Sequence, residues 1–508
     1  MTTYEYVNAD GDSAVDEISE IIDPSGLTTK FGYTGSRITS ITDIAGRDTI
    51  LGYDGSGRLT SITSPDPDGA GAQTATVVTF GYDSSTGLIT SYTDGDNKTT
   101  TLEYYANRTL KKRIFPDSSF EQFGSSLNGA VVDTSGGEGS LLNPAILFPT
   151  DEVTGYYTDE LSHTTYFSSD RFGAKTRIED PLGNVTVYER DSEGRPTRLT
   201  EPDPDGGGPL PAAVTEFSYD TLGNVTLIEY PDGTSESWTY NATFSRPTSY
   251  TDRRGNSTLY TVSFTTGLVF KIQQVIGQVD GVGNSETDDV VTSFVYTSAP
   301  WVSSDPPAGL VSTMTDPLGR ITSFDYDVHG NVTRITYADG TADEAYVEFE
   351  YDSAFNVAAF IDELGRRTEY DYDALNRLVT LTLADPDGVG SLTSPVYAYE
   401  YNKRNLVTKE TDPLGRETTY TYSDRGDLET VTRPDHDSNS VLTVDTYSYD
   451  LARRLIEITD PLGRATAIGY DIGNRQTDVT LPDPDGVGSS PASPTVSAPS
   501  TSLGVIGF

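Results

Sequence analysis

Pairs of carboxylates two residues apart recur in short acidic loops, and carboxylate oxygens are the ligands that Ca²⁺ prefers in proteins. The pairs are Asp66 and Asp68, Asp203 and Asp205, Asp385 and Asp387, and Asp483 and Asp485. Calcium takes about six to eight oxygens, and an EF-hand loop adds a distal bidentate glutamate that these loops lack at the right offset. We therefore favour plain hairpin loops, expect no cofactor, and keep these pairs as the calcium candidates.

A second candidate for chemistry is the Tyr-Asp dipeptide, which recurs before turns, as at Tyr53-Asp54, Tyr326-Asp327 and Tyr470-Asp471. The pair could act as an acid and a base. Turn chemistry explains it better, because aspartate caps a turn through its own side chain and tyrosine packs on a sheet. The sequence contains no G-x-S-x-G, P-loop or H-E-x-x-H motif. We predict that the protein is not an enzyme, with a hydrolase as a remote alternative.

An arginine or asparagine usually follows the turn glycine and could bind anionic sugars. We favour pairing with neighbouring Asp and Glu along the chain, where an exposed ion pair is worth about 0–1 kcal/mol. These residues are Arg58, Arg195, Arg320, Asn331, Arg366, Arg416 and Arg464.

The elements that must position these residues are marked by a recurring Asp-Pro-Leu-Gly tetrapeptide. Asp at the first position, Pro at the second and Gly at the fourth match the preferences of a type I turn. The Asp and Gly of each copy are Asp180 and Gly183, Asp316 and Gly319, Asp362 and Gly365 (here Asp-Glu-Leu-Gly), Asp412 and Gly415, and Asp460 and Gly463. We predict structural turns at all five.

Residues 412–435 show the whole unit. Thr418, Tyr420 and Tyr422 alternate as on one face of a strand, a turn follows at 424–426, and a partner strand returns from Leu428. The unit has about 20 residues, the size of one β-hairpin with its turns. In the return strand, aliphatic residues stand three apart, as at Leu428 and Val431. Either both faces are partly covered or a β-bulge lies between them.

Repetition of this unit predicts an all-β chain of tandem hairpins in one long antiparallel sheet, curled or spiralling. We place such repeats at 1–120 and 156–486, with an irregular Gly/Ser-rich insertion at 121–155 and a Pro/Ser-rich disordered tail at 487–508. Residues 1–486 are expected to form one continuous array.

Composition limits the possible partners. The 508 residues carry a net charge of −43, and nucleic-acid binding needs a basic surface, so nucleic acid is excluded as a partner. No apolar run is long enough to cross a membrane as a helix, and we expect no membrane insertion. Cysteine is absent, which excludes disulfides and thiolate metal sites.

Tyr-x-Tyr-Asp-x-x-Gly-Arg-Leu, followed by Asp-Pro-Leu-Gly-Arg or Pro-Asp-Gly, resembles the YD (tyrosine–aspartate) repeat of bacterial Rhs proteins. The repeat is shared with wall-associated proteins, insecticidal toxin-complex shell subunits and animal teneurins. The resemblance covers most of residues 4–486. It implies that the hairpins join into a spiralling sheet that closes, in part or whole, into a hollow cocoon. In many bacterial members that cocoon encloses a toxin.

The resemblance implies a non-enzymatic shell or scaffold, whose partner is a toxin cargo or a C-terminal toxin domain. The alternative is a cell-surface adhesion or carbohydrate-binding module, whose partner is a glycan or a protein of the cell surface. Both readings place the protein outside the cell or on its surface. The first residues do not resemble a signal peptide, so we expect a dedicated secretion system, or a chain that is part of something longer.

Overall fold

The structure is a computed structural model. It describes residues 2–9, 11, 15–23, 25–69, 71–125, 153–170, 173–276, 289–298, 306–388, 390–435, 438–482 and 495–497. Within those residues every regular element is a β-strand. The helix search, made over the same residues, finds no helix with the length and apolar character needed to span a membrane.

The strands are short, mostly of five or six residues. The first thirteen are β1 Thr3–Val7, β2 Glu17–Ile22, β3 Thr28–Thr34, β4 Arg37–Thr42, β5 Asp48–Tyr53, β6 Leu59–Thr63, β7 Val77–Tyr82, β8 Ile89–Thr93, β9 Thr99–Tyr104, β10 Leu110–Ile114, β11 Phe120–Ser125, β12 Val153–Thr158 and β13 Thr164–Ser169. The next thirteen are β14 Lys175–Glu179, β15 Val185–Arg190, β16 Pro196–Thr200, β17 Val214–Tyr219, β18 Val225–Glu229, β19 Ser235–Tyr240, β20 Pro247–Thr251, β21 Ser257–Val262, β22 Val269–Gln274, β23 Val290–Tyr296, β24 Val311–Thr315, β25 Ile321–Tyr326 and β26 Val332–Tyr337. The last thirteen are β27 Ala345–Tyr351, β28 Val357–Ile361, β29 Arg367–Tyr372, β30 Leu378–Thr382, β31 Val396–Tyr401, β32 Val407–Thr411, β33 Glu417–Tyr422, β34 Leu428–Asp435, β35 Ser438–Tyr449, β36 Leu455–Thr459, β37 Ala465–Tyr470, β38 Gln476–Thr480 and β39 Thr495–Ser497.

Consecutive strands pair antiparallel, as β25 does with β26 and β26 with β27, and all belong to one 39-stranded sheet. Among the described residues, β1 pairs only with β2 and β39 only with β38, so the sheet is not closed. The predicted all-β array of tandem hairpins is confirmed.

Because neighbouring strands run in opposite directions, alternate turns fall on opposite edges of the sheet. Turns after odd-numbered strands lie on what we call the YD edge, which carries the turns that start at Asp327 and Asp471. Turns and loops after even-numbered strands lie on the DPLG edge, which carries the turns that start at Asp180 and Asp412. The described acidic loops also lie on the DPLG edge. The Tyr-Asp motif and the Asp-Pro-Leu-Gly motif therefore lie on opposite edges of the sheet.

A β-bulge resolves the irregular spacing of the return strands. In β25–β26, Tyr326 pairs with Val332 and Asp325 with Arg334, so Thr333 has no partner and the register shifts by one. Phe324 then pairs with Ile335, and Val332 and Ile335 fall on one face although they stand three apart. The pairing of β33 with β34 shows the same shift. Of the two alternatives that the sequence left open, the bulge is therefore present.

The chain divides into two compact units. Unit 1 comprises 1–51, 64–74 and 187–396, and unit 2 comprises 52–63, 75–186 and 397–508. Each unit is built from stretches that are far apart in sequence. Few apolar residues are buried among the described residues, and they are Val262, Val275, Val347, Ala359 and Val431. Most strand residues are half-buried, so the hairpins do not form a thick core.

Two of the predicted boundaries fall largely on residues that are not described. Within the predicted insertion at 121–155, strands β11 and β12 occupy the two ends, and residues 126–152 lie outside the described part. Within the predicted tail at 487–508, only the short strand β39 is described. The proposed boundaries of the insertion and of the tail stay predictions.

Candidate functional site

The turns of the Asp-Pro-Leu-Gly motif are closed by the side chain of their aspartate. In the turn at Asp316, one carboxylate oxygen accepts hydrogen bonds from the amides of Leu318 and Arg320, each at 2.9 Å. The Gly319 amide donates to the Asp316 carbonyl at 2.9 Å, and Gly319 has a φ of 78°, which glycine adopts without strain. The other four Asp-Pro-Leu-Gly or Asp-Glu-Leu-Gly copies have the same Gly-to-Asp bond, and their glycines are Gly183, Gly365, Gly415 and Gly463.

The arginine after the turn glycine pairs with the aspartate of its own turn. The Nε of Arg320 donates to the second oxygen of Asp316 at 2.7 Å. The pKa of Asp316 lies below its ordinary value mainly because the Arg320 amide donates a hydrogen bond to its carboxylate. The Arg320 guanidinium and the Leu318 amide lower this pKa further, whereas burial raises it. The same pairing is made by Arg58, Arg195, Arg366, Arg416 and Arg464, and Asn331 replaces it with an amide hydrogen bond.

The tyrosine before the YD turn is tied to the preceding hairpin. Tyr422 donates its hydroxyl to the Val407 carbonyl at 2.7 Å, and Tyr326 donates to the Val311 carbonyl at the same distance. Burial raises the pKa of Tyr422. In this setting the hydroxyl joins two hairpins by donating to a backbone carbonyl.

The acidic loops use their carboxylates on their own backbone. Asp203 accepts from the amides of Asp205 and Gly207, and Asp205 accepts from those of Gly208 and Leu210, at 3.0 to 3.2 Å. Asp66 and Asp68, and Asp385 and Asp387, also accept loop amides. Asp483 and Asp485 lie outside the described residues. A search of the described part finds no group of three or more His, Cys, Asp or Glu side chains suited to a metal, and calcium binding stays a prediction.

In unit 2, turns of the DPLG edge in residues 75–186 contact turns of the YD edge in residues 397–508. Arg404 donates its Nε to the Asp96 carboxylate at 2.7 Å, and the Lys403 amide donates to the same carboxylate at 3.3 Å. Lys98 forms an ion pair with Asp424, 326 residues away. These bonds join two rows of hairpins, the early row in residues 75–186 and the late row in residues 397–508.

Arg425 is the most buried cation of these contacts. Its guanidinium bonds the Glu160 carboxylate at 2.7 Å and the Ser119 hydroxyl at 3.1 Å, and it lies 3.8 Å from the centre of the Phe115 ring. The Arg425 and Glu160 side chains are only 8% and 6% exposed. Loss of Arg425 would leave the buried Glu160 carboxylate without this partner, which is costly.

Unit 1 contains the same kind of contact by itself. The Arg47 guanidinium, beside a DPLG-edge turn, donates to the Asn376 side chain of a YD-edge turn at 2.7 Å. The Ala374 amide donates to the Pro67 carbonyl at 2.9 Å. In both units, therefore, turns on the DPLG edge of the stretch that comes first in the sequence bond turns on the YD edge of the stretch that comes later.

A polar cleft of about 660 Å³ lies within unit 2, where these two rows meet. Arg113 and Tyr157 both bond the buried Glu121 carboxylate; Tyr157 does so at 2.9 Å, and burial first and this contact second raise its pKa. His163 Nδ1 lies 3.3 Å from an Asp159 oxygen. Those contacts lie within residues 75–186, and the Arg425–Glu160 pair, which also lines the cleft, joins them to residues 397–508.

Sequence reasoning placed the turns but missed the contacts between rows. Arg404 and Arg425 occupy the third position of consecutive YD-edge turns, where other turns carry small or neutral residues such as Ala452 and Gly473. A cation at that position in two successive turns was the available signal, although it does not reveal which distant carboxylate it meets.

The fold and the edges define a tandem β-hairpin repeat protein. The RHS Repeat family model matches residues 34–70, 170–205, 306–342, 351–389 and 401–438. Residues in these five ranges are therefore RHS repeats, and the predicted resemblance is confirmed. Comparison with curated proteins gives no match.

Solved structures with a similar fold are components of Tc toxins. One is the Photorhabdus luminescens Tc holotoxin pore with a TccC3 mutation, at 15% identity and a TM-score of 0.50, covering 90% of this chain and 24% of that chain. Another is TcdB2-TccC3, at 14% identity and a TM-score of 0.44, covering 92% of this chain and 35% of that chain. The chain thus spans between a quarter and about a third of the length of these two proteins.

Proposed function

We propose that this chain is a non-enzymatic piece of a shell that surrounds a protein cargo, of the kind in which an RHS-repeat array encloses a toxin. The observation that carries the proposal is the bonding between rows inside each unit, from Arg404 to Asp96 in unit 2 and from Arg47 to Asn376 in unit 1. A single ribbon of hairpins has two open edges. A ribbon bonded to itself edge to edge becomes a continuous surface, which is what containment requires.

The chemistry of the repeats supports a structural role over an adhesive or carbohydrate-binding one. Arg416 is paired with the aspartate of its own turn, and the Tyr422 hydroxyl is bonded to a backbone carbonyl. The groups that would contact a sugar are thereby already engaged within the protein. Action outside the producing cell, with a toxin as cargo, belongs to the same proposal.

Protection of a fused cargo tests the proposal. A protease-sensitive reporter domain is fused after residue 508, and its digestion is followed in the intact full-length protein. The expected result is slower digestion of the fused reporter than of the free reporter. An Arg404→Ala/Arg425→Ala variant should lose this protection, because it opens the contacts between rows in unit 2.

Arg416→Ala is the matched control, since the ion pair that the described residues give Arg416 is with Asp412 of its own turn. It should leave the protection unchanged, and circular dichroism checks that all variants keep their β-structure. A fused reporter digested as fast as the free reporter would overturn the proposal.

A further inference from the structure

The hairpin formed by β34 and β35 extends past its neighbours on the DPLG edge of unit 2. β35 has 12 residues and β34 has eight, whereas the other strands of the described part have seven or fewer. The ladder between β35 and β36 begins where Thr446 pairs with Thr459, while the ladder between β35 and β34 continues to Ser438, opposite Asp435. Among the described strands, residues 438–445 of β35 therefore have a neighbour on one side only.

We call the open side of residues 438–445 the β35 edge. In an antiparallel strand, alternate residues direct their amide and carbonyl groups toward the two sides of the strand. Within the part of the chain that the structure describes, β35 packs against β34 and β36 and against no other strand. The β35 edge thus offers backbone donors and acceptors to a further strand, and strand edges of this kind invite pairing with another chain.

The β35 edge carries little charge and some exposed apolar surface. Leu442 and Val444 stand two apart and therefore share one face, and their exposed fractions are 63% and 40%. Asp445 is the only charged residue in 438–445, and it forms an ion pair with Arg433 of β34. Edge strands are commonly protected from pairing by lysine or proline, and this stretch contains neither. In a chain with a net charge of −43, such an edge is a place where strands can meet with little local repulsion.

The occupant that fits the β35 edge is the β35 edge of a second copy. Two identical strands can pair antiparallel about a two-fold axis, and each then supplies the backbone partners that the other lacks. An axis near Leu442 brings Leu442 and Val444 of both copies onto the same face of the joined sheet, at directly opposite or diagonal positions. Apolar side chains at such positions stabilise paired strands.

We propose that two copies of this chain pair through their β35 edges and form a dimer. Each β35 then lies between its own β34 and the β35 of the other copy. The contact is isologous, because both copies use the same residues, and it closes at two copies without leaving a β35 edge open. The inference concerns one hairpin of unit 2 and does not depend on enclosure of a cargo.

Sedimentation velocity of the full chain, from micromolar to hundreds of micromolar, tests the inference. Measurements in about 0.15 M and about 1 M salt, where the Debye length is about 8 Å and about 3 Å, limit the general repulsion between two acidic copies. We expect a monomer–dimer equilibrium that strengthens with salt, because the proposed contact consists of backbone pairing and apolar side chains.

Two opposite substitutions at one position test the two-fold geometry. Leu442→Lys and Leu442→Glu each place two like charges close together across the axis, so each variant alone should associate about tenfold more weakly or worse in about 0.15 M salt. An equal mixture of the two variants should regain the dimer, because the introduced charges are then opposite. A variant that failed to fold could not be rescued in this way.

Leu451→Lys is the matched control, because Leu451 is 53% exposed in the turn that follows β35, at the other end of the strand. It should associate like the original chain. A chain that stays monomeric at every concentration and salt level would overturn the inference, and so would polymers larger than a dimer. Equal weakening by Leu451→Lys and Leu442→Lys, or a mixture that associates no better than either variant alone, would also overturn it. Protection of a fused cargo is measured separately, so failure here is distinguishable from failure of the proposed function.

Discussion

At the scale of single residues, a carboxylate organises the turn of each Asp-Pro-Leu-Gly motif, and a tyrosine hydroxyl ties many hairpins to their predecessors. Asp412 accepts the amides of Leu414 and Arg416 with one oxygen and pairs the Arg416 guanidinium with the other. Tyr422 donates to the Val407 carbonyl, 15 residues earlier. These local rules explain why the motif recurs, since the hairpins that carry it use the same contacts.

Removal of one tyrosine hydroxyl should weaken the protein by a measurable amount. Tyr422→Phe deletes the 2.7 Å bond to Val407, and a bond of this kind contributes about 1 kcal/mol to the free energy of unfolding. Urea denaturation measures the change. Tyr166→Phe, at a tyrosine that is half-exposed, should leave the free energy of unfolding unchanged. An equal loss in both variants would show that the backbone contact is not the cause.

The turn aspartates predict a direction for the pH dependence of stability. Hydrogen bonds from their own turns hold the pKa of Asp316, Asp362 and Asp460 below the ordinary value, which is about 3.9 in the unfolded chain. Their stabilising contribution is thus present above about pH 4 and is lost as the pH falls through the lowered folded pKa.

Urea denaturation in about 1 M salt, which screens the general repulsion among carboxylates, isolates this effect. The unfolding midpoint should fall steadily below about pH 4. A midpoint that stays constant or rises over that range would contradict the role assigned to the turn carboxylates.

At the scale of elements, much of the fold could be predicted from the sequence. Hairpin length, strand alternation and turn positions follow from local residue preferences, as at Asp412, Gly415 and Tyr420. The bulge could be listed only as one alternative, because Val332 and Ile335 at a spacing of three fit both a bulge and a strand covered on both faces. The unpaired Thr333 decides between them, and its lack of a partner is a property of strand pairing.

The contacts between rows are the part that local preferences do not encode. Arg425 reaches Glu160 across 265 residues and Lys98 reaches Asp424 across 326 residues. No periodicity in the sequence relates these positions. These pairings depend on the number of strands that lie between the two edges that meet, and on the twist that accumulates over those strands.

The Arg425 contact predicts a large difference between two arginine substitutions. Arg425→Ala leaves the buried Glu160 carboxylate unpaired and should lower the free energy of unfolding of unit 2 by about 3–5 kcal/mol. Arg416→Ala breaks an exposed pair and should cost at most about 1 kcal/mol. Denaturation gives the energies, and hydrogen exchange should show faster opening of the turn at 159–162 in Arg425→Ala. Similar losses in both variants would contradict a buried joint at Arg425.

At the scale of the whole molecule, early and late stretches of the chain are bonded to each other within each unit. The candidate function follows from that arrangement. The net charge of −43 adds a general repulsion that specific contacts such as Arg404 to Asp96 must overcome.

The ion pair between Lys98 and Asp424 allows a direct test without any substitution. Carbodiimide coupling joins an amine to a carboxylate only when the two are in contact, and peptide mass spectrometry identifies the product. We expect an intramolecular link between Lys98 and Asp424 in the monomer. A local link between Lys30 and Glu20, whose charged atoms are 3.2 Å apart, serves as the control. Both should disappear in urea. Recovery of the Lys30–Glu20 link without the Lys98–Asp424 link would contradict the joining of the two rows.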